Sequence, residues 1–211
     1  MLGLPPTNTY PYHSTGSDWA GLATWDPRCL PILRNQRVLE LPDLRGMTLK
    51  NRVVVSPMCQ YSAVDGDMND WHHAHLGSLA LSGAGMLCIE ATAVTPEGRI
   101  TPGCVGLYKP SNVAAMKSVV DSIRAISPIR LAVQLGHAGR KGSSRRPWEG
   151  GALMTAQEGG WQTIAPSALP HKPDETPPKA MTTEDIARIT ADFVAATKRV
   201  CELGFDVIEV H

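Results

Sequence analysis

Short runs of consecutive apolar residues recur along the chain, and between them the apolar positions fall at helical spacing. Val53, Val54 and Val55 form a β-branched run of the kind expected of a strand covered on both faces. Pro57 has no amide proton to continue a ladder, so this strand stops near Ser56. Trp71 to Leu81 reads as a short helix, with Ser82-Gly83-Ala84-Gly85 as its stop. Met86 to Ile89 is a second strand ending at Glu90-Ala91-Thr92. Ser111 is the predicted N-cap of a helix whose apolar face holds Val113, Met116, Val120 and Ile123. Ile129 to Leu135 is a third strand and carries Gln134. Thr182 or Thr183 caps the clearest helix, with Glu184 and Asp185 in the first turn, where the helix dipole favours acids. Its apolar face is Ile186, Ile189, Phe193, Val194, Val200 and Leu203, and Gly204 ends it. Phe205 to Val210 is a fourth strand, followed by His211.

Strands alternating with helices predict a parallel sheet joined by right-handed crossovers. The strand ends are polar: Ser56 with Cys59, Gln60 and Tyr61, then Thr92, Gln134 and His211. In a parallel sheet these ends share one face, where such folds build their sites. The pattern places a site there without naming a reaction.

Composition narrows the classes. Twenty basic and twenty acidic residues cancel, with no charged tail, so neither nucleic acid nor a membrane surface is an expected partner. Five cysteines, an odd number with no C-x-x-C, predict reduced thiols and a cytoplasmic setting. No secretory leader and no membrane-spanning run is expected. No Gly-x-Gly-x-x-Gly follows a strand, which argues against a Rossmann nicotinamide site.

The run Leu49-Lys50-Asn51-Arg52 through Ser56-Pro57-Met58-Cys59-Gln60-Tyr61-Ser62 resembles the first barrel strand of the Old Yellow Enzyme family, in its thermophilic-like, cysteine-containing branch. Four further blocks agree in order: Asp70-Trp71-His72 with His75-Leu76-Gly77, Glu90 to Val94, Gln134 to Lys141, and Gly204 to His211. Ordered blocks of this kind are more specific than a single motif.

The resemblance implies an α/β fold of the TIM (β/α)8 barrel family. A complete barrel takes about 250 residues, so residues 37–211 are expected to form the N-terminal half of an FMN-binding barrel, with 1–36 an extension outside the repeating pattern. It also implies flavin mononucleotide as cofactor, reduced by NADPH or NADH, with hydride passed to a small activated alkene such as an enone or enal. By resemblance, Gln134 pairs with the flavin pyrimidine edge. Ser56, Pro57, Met58 and Ala91 line the isoalloxazine and ribityl chain, and Cys59 is the thiol beside the ring. Tyr61 is a substrate-facing phenol, and His211 the first of two donors to the substrate carbonyl oxygen. Other readings are a non-catalytic truncated product that self-associates through open sheet edges, and a fragment of a dienoyl-CoA-reductase-type flavin and iron-sulfur enzyme.

Several residues have plainer readings. Cys59 alone would more often be a small buried hydrophobe, and Gln134 alone could satisfy a loop. His72, His73 and His75 lack a further ligand at diagnostic spacing, so helical packing outweighs metal binding. Arg140, Lys141, Arg145 and Arg146 are either a solvated basic loop or an attractant for a phosphate or an anionic nicotinamide. The long Gly- and Pro-rich connection from Gly136 to Met181 is expected to cover the cofactor or shape the entrance.

Overall fold

The computed structural model describes residues 43–44 and 46–211. The expected extension over 1–36 lies outside them. A small antiparallel hairpin comes first, β1 (Asp43–Leu44) with β2 (Met47–Thr48). The remaining main elements are β3 (Val54–Val55), α1 (Asp70–Ala80), β4 (Met86–Ala93), α2 (Pro110–Ile126), β5 (Arg130–Gly136), β6 (Ile164–Ala165), β7 (Lys179–Ala180), α3 (Thr183–Glu202) and β8 (Val207–Val210). The principal sheet has four strands in the order β3-β4-β5-β8, all parallel.

Alternation along β4 and β5 divides the sheet into two faces. Leu87, Ile89, Leu131, Val133 and Leu135 are fully buried and pack with Leu76 and Ala80 of α1, Met116, Val119, Val120 and Ile123 of α2, and Ala196 and Val200 of α3. Burying each such large aliphatic side chain contributes about 1.5–3 kcal/mol. Ala132 and Gln134 alternate with these and turn to the other face.

Three expectations are corrected. Val53 and Val54 are 49% and 42% exposed rather than covered on both faces, because among the described residues β3 is an edge strand with one neighbour and two paired residues. The second helix is capped not by Ser111 but by Lys109, with Pro110 at its first position, where the missing N–H costs nothing. Asn112 there accepts from the amides of Tyr108 and Lys109, while the Ser111 hydroxyl donates instead to Asp67. On α3 the buried seam is Ile189, Ala196 and Val200, with Phe193 partly buried; Ile186, on the same side but in the first turn, and Val194, round the cylinder from it, are exposed. The cap of α3 is Thr182, whose hydroxyl accepts from the Asp185 amide.

Asp206 sets the entry of β8. Its carboxylate accepts from the Leu131 amide at 2.9 Å and from Arg130 Nη1 at 2.9 Å, and its own amide donates to the Leu131 carbonyl. These contacts fix the register that puts Gln134 opposite Glu209. The Gly136–Met181 connection holds short helical turns and the parallel pair β6–β7. Among the described residues no helix is long and apolar enough to cross a membrane.

Gly85, at the start of β4, has room only for hydrogen: a Cβ there would lie 2.3 Å from the Asn51 carbonyl oxygen. Gly85→Ala is therefore expected to destabilise the chain by about 1–3 kcal/mol, read as a lower urea midpoint. An unchanged midpoint would mean that the segment before β3 yields freely.

Candidate functional site

Parallel pairing delivers the polar strand ends to one cleft. A cavity of about 350 Å³ is walled by Cys59 and Tyr61 beyond β3, Ala91 and Thr92 of β4, Gln134 of β5, and His211 beyond β8. Ser56, Pro57 and Met58 are not in this wall; Ser56 and Met58 are exposed and Pro57 half-buried, at the rim where β3 ends.

The bend that opens the cleft is an irregularity in β4. Three steps along β4, from Ile89 to Thr92, match two along β5, from Val133 to Leu135. Such a bulge re-aims side chains. Glu90 turns into the protein, where it is 2% exposed, while Ala91 and Thr92 line the cleft. Glu90 Oε2 accepts from the Gln60 amide at 2.9 Å, anchoring the segment that carries Cys59 and Tyr61. Its Oε1 faces Nε2 of the fully buried His72 at 3.7 Å, and neither atom has a hydrogen-bond partner. Burial pushes the Glu90 carboxyl up to about 7, against the pull of the Gln60 and Tyr61 amides. Burial, followed by His75 and His73, pushes His72 down to about 4.

Tyr61 adopts a left-handed backbone conformation, with φ of 51°, uncommon outside glycine. Its carbonyl accepts from Arg146 Nε at 2.9 Å, and Gly103 packs so close that a Cβ would lie 2.2 Å from that oxygen. Its ring meets Trp148 edge-on at 6.0 Å. The long connection thus supplies both a brace and an aromatic neighbour for Tyr61. Burial raises both the Cys59 thiol and the Tyr61 phenol to about 12; the nearby Cys59 adds to the rise of Tyr61, whereas the hydrogen bond with Tyr61 pulls Cys59 the other way, and both keep their protons at neutral pH.

The candidate basic cluster is dispersed. Arg145 pairs with Glu158, Arg146 with Glu149 and Tyr61, and Arg140 donates to Ser167 Oγ, whereas Lys141 lines the cleft. Sequence reasoning did not single out Arg99 or His137, which also line it. Arg99 lies 5.0 Å over the Trp161 ring. His137 Nδ1 accepts from the Gly139 amide, and its buried Nε2 has no partner. His137 lay within the Gln134 to Lys141 block, one residue beyond β5, while Arg99, six residues past β4, carried no signal. Of the clustered histidines, His73 bonds to Ser122 and His75 stacks on Trp71.

The sequence model of the NADH:flavin oxidoreductase / NADH oxidase family matches residues 42–211. A NADH:flavin oxidoreductase of Gibberella zeae is 44% identical over 172 residues, covering 80% of this chain and 41% of its own length. A NADPH dehydrogenase of Listeria monocytogenes is 40% identical over 170 residues, 80% of this chain and 46% of its own. Among solved structures, morphinone reductase matches with a TM-score of 0.68 at 28% identity, over 82% of this chain and 47% of that one. The Old Yellow Enzyme of a Pichia species matches in fold, with a TM-score of 0.69 at 24% identity, over 83% and 45%. The chain spans about half the length of these relatives, and its four-stranded sheet belongs to their TIM-barrel fold.

The His72–Glu90 pair predicts an unusual pH response. A carboxyl raised from 4.5 to about 7 holds its proton more tightly when folded, so its contribution to stability is lost as pH rises through that window. An imidazole lowered from 6.5 to about 4 contributes stability that is lost as pH falls through that window. The two slopes oppose and leave a flat profile where they overlap. Glu90→Gln removes one of them, so urea midpoints of that variant should climb between pH 4 and 6.5 more steeply than those of the parent. Parallel profiles would show that the two groups are not charged and discharged as described.

Proposed function

The chain belongs to the NADH:flavin oxidoreductase / NADH oxidase family, and from that premise we propose that its cleft is the flavin and substrate site of an FMN-dependent ene-reductase. The observation that carries the reading is the convergence of Cys59, Tyr61, Ala91, Gln134 and His211, from four strand ends, on one cavity of about 350 Å³. That size lies within the range of small-molecule sites. The chain spans about half of each relative, so the reaction is proposed for the part of the site these residues supply.

The donor set suits the cofactor. Gln134 offers an amide to the pyrimidine edge of a flavin, and Cys59 offers an uncharged S–H beside the ring. The partnerless Nε2 of His137, which carries the proton when Nδ1 accepts, is a buried donor awaiting an acceptor in the same wall. When bound, FMN accepts hydride from a reduced nicotinamide and returns it to an electron-poor carbon. Morphinone reductase has been solved with tetrahydroNAD, and Lys141 supplies the cleft with a cation suited to an anionic nicotinamide nucleotide.

The chain's own residues then act by placement. His211 and Tyr61 present N–H and O–H donors to a substrate carbonyl oxygen, polarising the conjugated alkene, and such donors act most strongly where charge develops in the transition state. The phenol, held near 12, stays a donor throughout the neutral range. Four described cysteines are free thiols, which supports a reducing, cytoplasmic setting.

The test is direct. The full chain is mixed with FMN, freed of unbound flavin by gel filtration, and its visible spectrum recorded before and after anaerobic NADPH or NADH. A retained, shifted flavin band that bleaches with nicotinamide supports the reading, and a colourless protein removes it. Gln134→Leu should weaken FMN retention roughly tenfold, about one lost hydrogen bond. Cys59→Ala should keep the fold and shift the flavin midpoint potential; an unaltered potential would leave the thiol a packing residue.

A further inference from the structure

Glu209 has no place in the reading above, yet it sits beneath the cleft at a junction of three strands. It is paired in register with Gln134 across β5 and β8, and the two side chains share the face turned away from the helices. Gln134 Nε2 donates to Glu209 Oε1 at 3.0 Å. From β4, the Cys88 thiol donates to Glu209 Oε2 at 3.8 Å. Burial and then the Glu209 charge push that thiol up to about 12, so it remains a donor. His211 Nδ1 lies 3.8 Å from the same Oε1. The Gln134 amide and the Cys88 thiol each offer the carboxylate a hydrogen.

An ionised carboxylate accepts and never donates. The Gln134 amide, 9% exposed, has two chemically different ends, and only its NH2 end can face Glu209. The opposite orientation would set two acceptor oxygens about 3 Å apart with no proton between them. The amide carbonyl is thereby left for the cleft that Gln134 lines. A carbonyl at that position rewards a ligand edge that donates.

We infer that Glu209 is a positioning residue whose carboxylate turns the Gln134 carbonyl into the cleft and so makes the site select a flavin ring by its imide N–H. The inference rests on the flavin reading above and adds to it the residue that sets the polarity of the contact. Two oppositely polarised arrangements are open to an unconstrained glutamine, and Glu209 leaves one.

The experiment compares binding of FMN with binding of its N3-methyl analogue, which keeps both ring carbonyls but has no imide N–H. Both are titrated by flavin fluorescence against the full chain, its Glu209→Gln variant, Gln134→Leu, and the double variant, with circular dichroism confirming that each is folded. Glu209 is 45% exposed at its side chain, so the isosteric change does not disturb the core. The parent should prefer FMN by about tenfold, the value of one hydrogen bond. Glu209→Gln, which can accept or donate, should still bind FMN but lower that preference at least threefold, because the Gln134 amide is then free to turn. In the Gln134→Leu background the same change at 209 should leave the preference where it is. A Glu209→Gln preference equal to that of the parent overturns the inference, as does an equal shift with or without Gln134, or no preference in the parent. If the parent fails to bind FMN at all, the flavin reading fails and the inference with it.

Discussion

Parallel pairing is the constraint on which the site depends. Strands that run the same way end on the same side, so a polar group placed after each apolar run is carried to its counterparts without any contact between them in sequence. Cys59 and Gln134 are far apart along the chain and share one wall because β3, β4 and β5 are parallel. The apolar alternation of β4 and β5 supports that arrangement from behind. Leu87, Ile89, Leu131, Val133 and Leu135 seal one face against α1, α2 and α3, which leaves the other face to the cleft.

The buried Glu90 shows how the scaffold is joined to the cleft wall. A bulge in β4 swings this carboxyl toward α1, and its two oxygens then connect unlike elements, Oε2 to the loop of Cys59 and Tyr61 and Oε1 to His72. The strained backbone of Tyr61 is held from the other side by Arg146 and by the close approach of Gly103. Non-glycine residues keep such conformations only where their surroundings over-determine them. The surroundings here come from three separate segments, which is why the phenol stands where the cleft needs it.

Much of this was legible in the sequence because it follows from local periodicity. The apolar runs gave β4, β5 and β8, the helical spacing gave α2 and α3, and the polar residues after the strands gave Cys59, Tyr61, Thr92, Gln134 and His211 of the cleft wall. What periodicity missed came from tertiary context. Val53 and Val54 read as buried because a β-branched run does not reveal whether its strand has one neighbour or two. Ser111 read as a cap because hydroxyls usually are, but Pro110 and the Asn112 side chain settled the helix start two residues earlier. Ile186 fits the helical period but sits in the first turn of α3, and Val194 sits round the cylinder, and neither is covered. Glu90 gave no sign that it would be buried, since a carboxyl within a strand normally faces water. Arg99 and His137 came into view only when the cleft brought the strand-end loops together.

The clamp at Asp206 reaches further than its own end of the strand. Side chains on a strand alternate faces, so moving β8 by a single residue against β5 would exchange its two rows. Glu209 and His211 would turn toward the helices, and Ile208 and Val210 would take their places in the cleft. The parallel ladder alone would be nearly as well satisfied in that slipped state, because its backbone bonds do not distinguish one side chain from another. The hydrogen bonds of Asp206 to Leu131 and Arg130 do distinguish it. A largely covered carboxylate at the end of the sheet opposite the cleft therefore decides which of two nearly equivalent sheets turns an imidazole toward the cleft and which turns a valine there.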